Sequence, residues 1–541
     1  MEFHLYDRQR YLIFAACIAF TALCLALLTV SAWFLLGVVV FGALSAVGIY
    51  DMMQTHHSIL RNYPVLGHMR FIFEGIRPEI RQYLIESDQD EEPFSREERS
   101  LVYQRAKNVE SARPFGTKLH VYNTGYSWLT HSVNPRNIEN TDFRTTVGNS
   151  QCSQPYEISL YNISAMSFGS LSANAILALS MGAKEGGFAH DTGEGGISRY
   201  HRQGGGDLIY EVGTGYFGCR DEKGNFDPGK FAEQAANEQV RMIEVKLSQG
   251  AKPGHGGLLP ASKVSPEIAE ARGIPLGVDC HSPAGHSAFT TPIEFMQFLQ
   301  QLRELSKGKP VGFKLCVGHR REFMCMVKAM LETGITPDFI IVDGKEGGTG
   351  AAPLEFSNHL GMPLQDGLVF VHNTLRGAGL RDDVKIGASG KLISSFDIAK
   401  AIGMGADWAN SARGFMFSVG CIQAQACHTN RCPTGVATQD KTRQRALVVE
   451  DKYLRVASFH RETMKALGSM TGASGLDHPS QFMPHHFQKR GHDGQMIGGQ
   501  RVFPYLPEGF LLREGDDYEP YRYRWNRASA DRFTSPDLPG V

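Results

Sequence analysis

Cysteine, tryptophan and net charge are all scarce in this sequence. Its 541 residues include 10 cysteines and 4 tryptophans, and 55 basic side chains almost balance 56 acidic ones. Ten scattered cysteines do not make the disulfide framework of a secreted domain, so a reducing compartment is expected. A net charge of −1 gives no field of one sign that would attract nucleic acid. The length exceeds what one ordinary core needs.

Charge is missing altogether from residues 11–50, which read YLIFAACIAFTALCLALLTVSAWFLLGVVVFGALSAVGIY. One helix of 40 residues would be about 60 Å long, twice the thickness of a bilayer core. Two crossings with a break near Ser31, Ala32 and Trp33 therefore fit better than one. The alternative is a buried hydrophobic hairpin of a soluble protein. A signal peptide is disfavoured because its apolar region would be much shorter.

Basic residues predict how this hairpin would be oriented. Arg8 and Arg10 precede the first apolar segment, Arg61 and Arg70 follow the second, and the short turn between the two segments has no basic residue. Cytoplasmic flanks are the ones that carry such an excess of Lys and Arg. We therefore expect both ends in the cytoplasm, and the remaining chain held at the cytoplasmic membrane with its catalytic domain facing the cytoplasm.

The middle of the chain alternates between short β-like runs and amphipathic helical patterns. Eight runs occur, at 159–166, 187–193, 208–213, 242–248, 311–318, 338–344, 383–389 and 407–414. Such alternation predicts an α/β fold with a parallel sheet, and eight units in this span fit a (β/α)8 TIM barrel. A doubly wound open sheet is the alternative. No G-x-G-x-x-G motif in a dinucleotide-binding context supports it.

Glycine-rich segments follow most of these strands. They are AMSFGS (165–170), DTGEGG (191–196), KLSQGAKPGHGG (246–257), DGKEGGTG (343–350), GASGKL (387–392) and SARGFM (411–416). The last two follow the seventh and eighth strands, where such barrels often bind a phosphate through backbone N–H groups. Arg413 adds a charged fork for that anion. A phosphate-bearing cofactor without a nicotinamide fingerprint favours FMN.

Three cysteines stand close together after the eighth strand, Cys421, Cys427 and Cys432, spaced C-x5-C-x4-C. Zinc and a cubane iron–sulfur cluster each want four ligands. His428 could complete a zinc site, and Cys280 or another distant thiol could complete a cubane. A three-iron cluster needs one thiolate for each iron. The other cysteines of the soluble part, at 152, 219, 280, 316 and 325, have the setting of small buried apolar residues or free thiols.

The motifs ISAMSFGSLS, DTGEGG, QGAKPGHGGLLP, DGKEGGTGAAP and CIQAQACHTNRCPTGVATQD resemble the FMN-binding central domain of glutamate synthase. The resemblance covers residues 155–445 in family order. The whole chain is similar to the shorter, membrane-associated members of the FMN-binding glutamate synthase family. It implies an FMN-bearing barrel beside a [3Fe-4S] cluster held by the three cysteines. The implied reaction is reductive amination of 2-oxoglutarate: ammonia adds, water leaves, and reduced FMN delivers a hydride to 2-iminoglutarate.

The resemblance also implies roles for individual residues. Ala165, Met166 and Ser167 would line the flavin ring, with Lys246 beneath it. Gln249 and Lys252 would hold the carboxylates of the 2-oxo acid, and Glu194 would stand near the ammonia entry. The FMN phosphate would lie among Gly347, Gly348, Thr349, Gly390, Arg413 and Gly414. His281 and His286 are either substrate contacts or polar loop residues at the barrel mouth.

The sequence departs from the large glutamate synthases at three points. It carries no amidotransferase domain with an N-terminal cysteine, so free ammonia or a separate amidotransferase subunit would supply nitrogen. It also lacks the glycine-repeat β-helix that follows the cluster. His255 stands where the large enzymes have an acidic residue, which leaves the substrate open. Without an NAD(P)H domain, electrons would come from a protein such as ferredoxin or from a membrane carrier.

Two other functions therefore remain open. One is a related amine transfer or amino-acid oxidation coupled to a membrane carrier. The other is a non-catalytic electron-transfer subunit. In either case five segments are expected along the chain: a two-helix membrane anchor (1–55), a juxtamembrane connector (56–150), the FMN-binding barrel (151–420), the cluster loop with its helix (421–475) and a C-terminal tail (476–541).

Overall fold

The computed structural model describes residues 10–534, apart from 88, 90, 91, 110, 111, 260 and 516–520. Arg8 and the outermost parts of the predicted anchor and tail lie outside these residues. The chain divides into two compact units, Met1–Arg96 and Glu97–Val541. The division falls inside the segment that the sequence predicts as a juxtamembrane connector.

Nineteen α-helices occur in the described residues. They are α1 (Leu12–Leu27), α2 (Phe34–Met53), α3 (Ser58–Asn62), α4 (Gly67–Ile80), α5 (Arg96–Ala106), α6 (Ala173–Gly186), α7 (Arg199–Gly204), α8 (Pro228–Ala235), α9 (Pro266–Arg272), α10 (Pro292–Leu305), α11 (Arg320–Thr333), α12 (Leu354–His359), α13 (Leu364–Gly377), α14 (Ser395–Gly403), α15 (Arg413–Ser418), α16 (Lys441–Gln444), α17 (Val449–Ala473), α18 (Gly499–Val502) and α19 (Arg522–Asn526). A π-helical turn, Arg81–Ile85, follows α4.

In the first unit α1 and α2 pack against each other. The turn between them spans the predicted break at Ser31, Ala32 and Trp33. Gly37 and Gly48 allow the close approach, since a Cβ on either would lie within 2.6 Å of Cys24 or Phe14. By length and composition α2 is able to cross a membrane, whereas α1 is apolar but shorter. Two membrane crossings remain a prediction.

The second unit is built around fifteen strands. They are β1 (Ser127–Leu129), β2 (Arg144–Val147), β3 (Tyr156–Ser159), β4 (Tyr161–Ile163), β5 (His190–Asp191), β6 (Leu208–Val212), β7 (Val240–Lys246), β8 (Leu258–Leu259), β9 (Cys280–His281), β10 (Val311–Leu315), β11 (Phe339–Asp343), β12 (Lys385–Ser389), β13 (Trp408–Ser411), β14 (Phe487–Arg490) and β15 (Met496–Gly498).

Eight of these strands close into a parallel barrel in the order β4–β5–β6–β7–β10–β11–β12–β13. All eight coincide with the runs identified in the sequence, so the (β/α)8 prediction is confirmed. Phe313 lies opposite Ile340 and Ala409 opposite Tyr161, and the register between β6 and β7 shifts at Leu208 and Ile209. The strands are almost wholly buried, because helices cover a parallel sheet on its outer face.

Side-chain caps set where several barrel helices begin. Ser172 accepts a hydrogen bond from the N–H of Ala175, and Thr291 and Ser394 form capping boxes with Glu294 and Asp397. These caps satisfy N–H groups that a first helical turn leaves unpaired. The sequence anticipated the helices after β4, β6, β10 and β12, and also α10, which precedes β10. It did not anticipate α13 after β11, whose buried run includes Leu368, Phe370 and Val371.

Smaller elements close the second unit. β1, β14 and β15 form an antiparallel sheet outside the barrel, and β2 pairs with β3. The long helix α17 packs against α6, where Gly182 allows Val456 to approach within 2.5 Å of a Cβ position. The predicted cluster loop lies between α15 and α17, at the same end of the barrel as the strand-end loops.

Two glycines fix the spacing of those loops. A Cβ on Gly250, after β7, would lie 1.8 Å from the carbonyl oxygen of Gly344, after β11. Gly193 has a φ of +65°, and its Cβ would lie 2.6 Å from the backbone nitrogen of Ser167. Any side chain at either position would push two loops apart.

Candidate active site

A cavity of about 110 Å³ opens at the carboxyl ends of the barrel strands. This is the end at which barrel enzymes carry their chemistry. Residues from five strand-end loops, from β6 and from the cysteine segment line it: Ala165, Met166, Ser167, Ser170, Leu171, Gly193, Glu194, Glu211, Lys246, Gln249, Gly348, Thr349, Gly350, Ala412, Arg413, Met416, Cys427 and Ala437. Of the residues predicted from the sequence, Ala165, Met166 and Ser167 share this wall with Lys246, Glu194 and Gln249.

An ion pair lies in the wall of this cavity. Lys246 is the last residue of β7, and its Nζ lies 2.6 Å from Oε2 of Glu194 in the loop after β5. Burial by itself would raise the pKa of the Glu194 carboxyl, but Lys246, helped by Lys252 and Arg272, lowers that pKa to about 2. Lys246 Nζ also lies 3.4 Å from Oε1 of Gln249. The site therefore holds a charged pair beside an amide.

Lys252 stands beside this pair and outside the cavity wall. Its Nζ donates to the carbonyl of Gly256 at 3.3 Å. Burial lowers the pKa of Lys252, and the neighbouring Glu194 opposes that effect. A half-buried cation near the pair suits an anionic ligand. His255, which departs from the family pattern, is exposed and packs edge-on against Phe356 at 5.0 Å.

The sequence left the roles of His281 and His286 undecided, and the structure places the two side chains differently. His286 donates from Nε2 to the carbonyl of Lys246 at 2.9 Å, and its Nδ1 accepts from the hydroxyl of Tyr216 at 3.0 Å. Burial lowers the pKa of His286 to about 4. With both ring nitrogens occupied, this neutral ring supports the backbone of Lys246. His281 is exposed on β9, opposite Leu258.

A second part of the wall presents backbone donors and an arginine. In the part of the chain that the structure describes, the N–H groups of Gly348 and Thr349 donate to no protein acceptor. Arg413 donates from Nη2 to the carbonyl of Thr349 at 2.9 Å, which holds its guanidinium beside them. A Cβ on Gly348 would lie 3.4 Å from that guanidinium. Free N–H groups next to a fixed guanidinium suit a phosphate.

The other glycines predicted to bind phosphate lie behind this wall. Gly347 donates to the carbonyl of Gly344 at 2.9 Å, and Gly390, with a φ of +146°, packs against the same residue. Gly414 is buried in α15, where its N–H donates to Ser411 Oγ at 3.3 Å. These three shape the loops from behind and do not line the cavity.

The cysteine segment winds back against the first strand-end loop. Gln423, Gln425 and Asn430 adopt left-handed backbone conformations, with φ between +52° and +62°. Gln439 donates from its amide to the carbonyls of Gly169 and Leu171 at 3.0 and 2.9 Å. These tight turns bring Cys427 into the cavity wall, on the same surface as Met166.

Cys421 and Cys432 are buried behind Cys427. Burial raises the pKa of the Cys421 thiol to about 11, and its neighbours Cys427 and Cys432 add to that rise. The pKa of Cys432 is lowered overall: burial raises it, but N–H groups of residues 434, 436 and 437 favour the thiolate. The three thiols predicted as metal ligands are therefore neighbours in the fold.

The cysteines are not gathered into the compact acidic group of this barrel. Among the described residues, the group whose ligand atoms all lie within 4.8 Å of one another is Asp191, Glu211 and Glu244. Cys280, which the sequence offered as a fourth thiol, contacts Arg272 instead, since Arg272 donates to its sulfur at 3.6 Å.

The acidic group surrounds Lys314, a residue of β10. Its Nζ contacts Glu211, lies 3.0 Å from Glu244 and 4.0 Å from Asp191, and all four side chains are buried. The ammonium occupies the place that a cation would take. Burial alone would lower the pKa of Lys314, but the carboxylates raise it well above its ordinary value.

This cluster forms the floor beneath the cavity, because Glu211 also lines the cavity wall. Burial raises the pKa of Asp191 to about 7, against the influence of Lys314, and raises the pKa of Glu244 well above its ordinary value. Sequence reasoning missed this floor. The available signal was charged residues inside otherwise apolar parallel strands: Glu211 in LIYEV, Glu244 in VRMIEVK and Lys314 in VGFKL.

Comparison with known proteins supplies an independent finding. The family model for the conserved region in glutamate synthase matches residues 117–477. The glutamate synthase large subunit-like protein YerD of Bacillus subtilis is 38% identical over 507 residues, which is 86% of this chain and 96% of that protein. The archaeal-type glutamate synthase (NADPH) of Thermotoga maritima is 34% identical over 314 residues, 58% of this chain and 59% of that protein.

Proposed function

This chain belongs to the glutamate synthase family and is an oxidoreductase of the glutamate synthase type, and from that premise we propose that it reductively aminates a 2-oxo acid, 2-oxoglutarate, to glutamate with ammonia. The observation that carries the proposal is the convergence on one cavity of Lys246, Glu194 and Gln249, the anion-binding edge at Gly348, Thr349 and Arg413, and Cys427. The reaction forms the 2-imino acid by loss of water and then reduces its C=N bond.

The residues at the cavity have different roles in this reaction, according to their charge. Lys252 and Gln249 bind and orient the dicarboxylate, since one is a cation and the other an amide donor. Glu194, ionised beside Lys246, attracts ammonium to the cavity. Lys246 keeps a positive charge at the wall, where it stabilises negative charge that develops on the reacting groups.

The residue types that line the cavity suit FMN. Unpaired N–H groups of Gly348 and Thr349, with Arg413, would hold its phosphate. Ala165, Met166 and Ser167 would flank its ring, and Lys246 would lie against it. FMN, when bound, supplies the hydride for reduction of the imine.

A [3Fe-4S] cluster is the proposed occupant of Cys421, Cys427 and Cys432. Three neighbouring thiols, one for each iron, support it. Cys427 and Met166 line one cavity, so electrons would have a short route from the cluster to the flavin. A ferredoxin-like protein or a membrane carrier would supply them. The chain covers 59% of the Thermotoga maritima glutamate synthase, and the NADPH in the name of that enzyme is a property of that enzyme.

The proposal includes a place in the cell. The chain is anchored by α1 and α2 in the cytoplasmic membrane, and its catalytic unit faces the cytoplasm. The apolar composition of both helices and the basic residues on either side support this orientation. Nitrogen arrives as free ammonia or from a separate amidotransferase subunit.

The test begins with the full chain purified anaerobically in detergent. We expect flavin released as FMN, about three irons in each chain and an electron paramagnetic resonance signal of a three-iron cluster. Reduced ferredoxin, ammonia and 2-oxoglutarate should then yield glutamate, and Lys246→Ala should abolish the product while FMN stays bound. Absence of both cofactors would overturn the proposal.

The same preparation separates the alternatives. If both cofactors are present and no 2-oxo acid is aminated, but an amino acid reduces the flavin, the physiological direction is oxidation. If Lys246→Ala leaves electron transfer through the protein unchanged, the barrel is an electron-transfer subunit and the catalytic proposal fails.

A further inference from the structure

An unpartnered apolar stripe runs along α4. Met69, Ile72, Phe73 and Ile76 follow the spacing i, i+3, i+4 and i+7, which places them on one face of a helix. Their exposed fractions are 49%, 60%, 56% and 43%. We call these four residues the apolar stripe. Four large apolar side chains that are each about half exposed on one helix face are unusual for a surface in water.

The opposite side of α4 is held by its own unit. Phe71 packs edge-on against His57 at 5.7 Å, and His68 pairs with Asp51 at 2.8 Å. Gly67 is buried against Leu60 of α3, where a Cβ would meet Leu60 at 3.0 Å. These contacts fix the rotation of α4 about its axis. Because the opposite side of α4 is packed against its own unit, the apolar stripe faces outward.

Asp51 connects the end of α2 to the start of α4. It is buried near the end of α2, and its carboxylate accepts from the N–H of Val65 at 2.9 Å as well as from His68. This latch ties the first turn of α4 to the last turn of α2. If α2 crosses a bilayer, its end lies at the cytoplasmic headgroup layer, and α4 starts at that level.

Charge completes the pattern. Arg70 and Arg77 are exposed, and each lies within one helical turn of Phe73 at the edge of the apolar stripe. An apolar face bordered by arginines is the arrangement of helices that lie in a membrane surface, with guanidinium groups at the level of the phosphates. Arg70 is further held by Glu74 at 2.8 Å.

We propose that α4 lies in the cytoplasmic headgroup layer of the lipid bilayer, with its apolar stripe buried among the upper acyl chains and the Asp51–His68 latch holding it there. This inference rests on the proposed membrane anchor and adds a second lipid contact to it. The occupant is the bilayer itself. A soluble protein or a second copy of the chain on this face is an outcome that the test distinguishes.

The test uses tryptophan as a depth probe in the full chain. Trp33, in the turn between α1 and α2, is replaced by phenylalanine to remove its signal. Three probes are then compared: Phe73→Trp in the apolar stripe, Val40→Trp in α2, and Glu74→Trp as the matched control one position round the helix. Each variant is reconstituted into vesicles of phosphatidylcholine and phosphatidylglycerol that carry bromine either near the headgroup or deep in the acyl chain.

We expect shallow bromines to quench the Phe73→Trp signal about twofold more than deep ones, and the Glu74→Trp control to match the Trp33→Phe parent. Val40→Trp should be quenched by deep bromines. Quenching of Val40→Trp without quenching of Phe73→Trp would overturn the α4 inference and leave the anchor intact. If neither probe is quenched, the membrane anchor itself is wrong, and the inference falls with it. Equal quenching at Phe73 and Glu74 would also overturn it.

Discussion

Lys246 Nζ and Glu194 Oε2 lie 2.6 Å apart, although the two residues come from different strand-end loops of the barrel. The pair is held in place from behind, because His286 binds the carbonyl of Lys246 and Gly193 lets the Glu194 loop pass against Ser167. The loops after β5 and β7 therefore meet at one charged contact.

The first prediction concerns the acid stability of Glu194→Gln. The folded-state pKa of Glu194 is about 2, below its ordinary value, so its ionised form stabilises the fold above pH 4.5 and loses that effect as the pH falls toward 2. Between pH 7 and pH 3 the wild type should lose about 2 kcal/mol more unfolding free energy than Glu194→Gln. Denaturant titrations at the two pH values measure this; parallel losses would contradict it.

The second prediction concerns Lys314→Met. Removing the ammonium leaves Glu211, Glu244 and Asp191 buried together without a cation, which should destabilise the barrel by about 3–5 kcal/mol. Lys223→Met, at an exposed position, should change stability by about 0.5 kcal/mol or less.

The rescue of that variant identifies the cause. Glu211→Gln in the Lys314→Met background removes the carboxylate that contacts Lys314 and should restore a clear part of the lost stability. Thermal unfolding of the three proteins gives the comparison. No recovery in the double variant would mean that the lysine acts through packing of its stem and not through its charge.

The third prediction concerns Gly250→Ala. The new Cβ would lie 1.8 Å from the carbonyl oxygen of Gly344, so the loop after β11 must move. We expect a loss of about 1–3 kcal/mol in stability and weaker retention of flavin during gel filtration. Gly285→Ala is the control, since nothing lies within 4 Å of its Cβ. Equal behaviour of the two variants would show that the loop contact is loose.

The fourth prediction concerns the cysteine segment. Serine in place of Cys421, Cys427 or Cys432 should remove most of the iron and its visible absorbance from the purified chain. Cys219→Ser and Cys325→Ser, which alter buried thiols elsewhere, should keep full iron content. Iron retained in all three single variants, measured by metal analysis, would mean that these cysteines are not the ligands.

The cavity shows how far sequence reasoning reached. Lys246, Glu194 and Gln249 were each assigned to strand-end loops, and the structure brings them to one wall because the carboxyl ends of parallel strands share one edge. Gly347, Gly390 and Gly414 were assigned with equal reason, yet they lie behind the wall. Which glycines of a loop face inward depends on backbone angles that a G-G pattern does not encode.

His286 and Lys314 show the opposite case. A histidine in a loop at the barrel mouth is a candidate substrate contact. In the structure both ring nitrogens of His286 are hydrogen-bonded, one to Tyr216 and one to the backbone of Lys246. Lys314 lies in an apolar strand. Closure of the barrel places the carboxyl groups of Asp191, Glu211 and Glu244 around it. In both cases the partners are distant along the chain.

The sequence by itself determined the barrel, because eight apolar runs alternating with helical patterns leave few other ways to bury both faces of a parallel sheet. It also determined the chemical groups at the mouth and the triplet of cysteines. Only the tertiary structure decided which of these groups touch. The Lys246–Glu194 pair and the charged floor around Lys314 depend on contacts between segments far apart in the chain. The spacing of residues along one segment does not specify which partner a distant loop will bring.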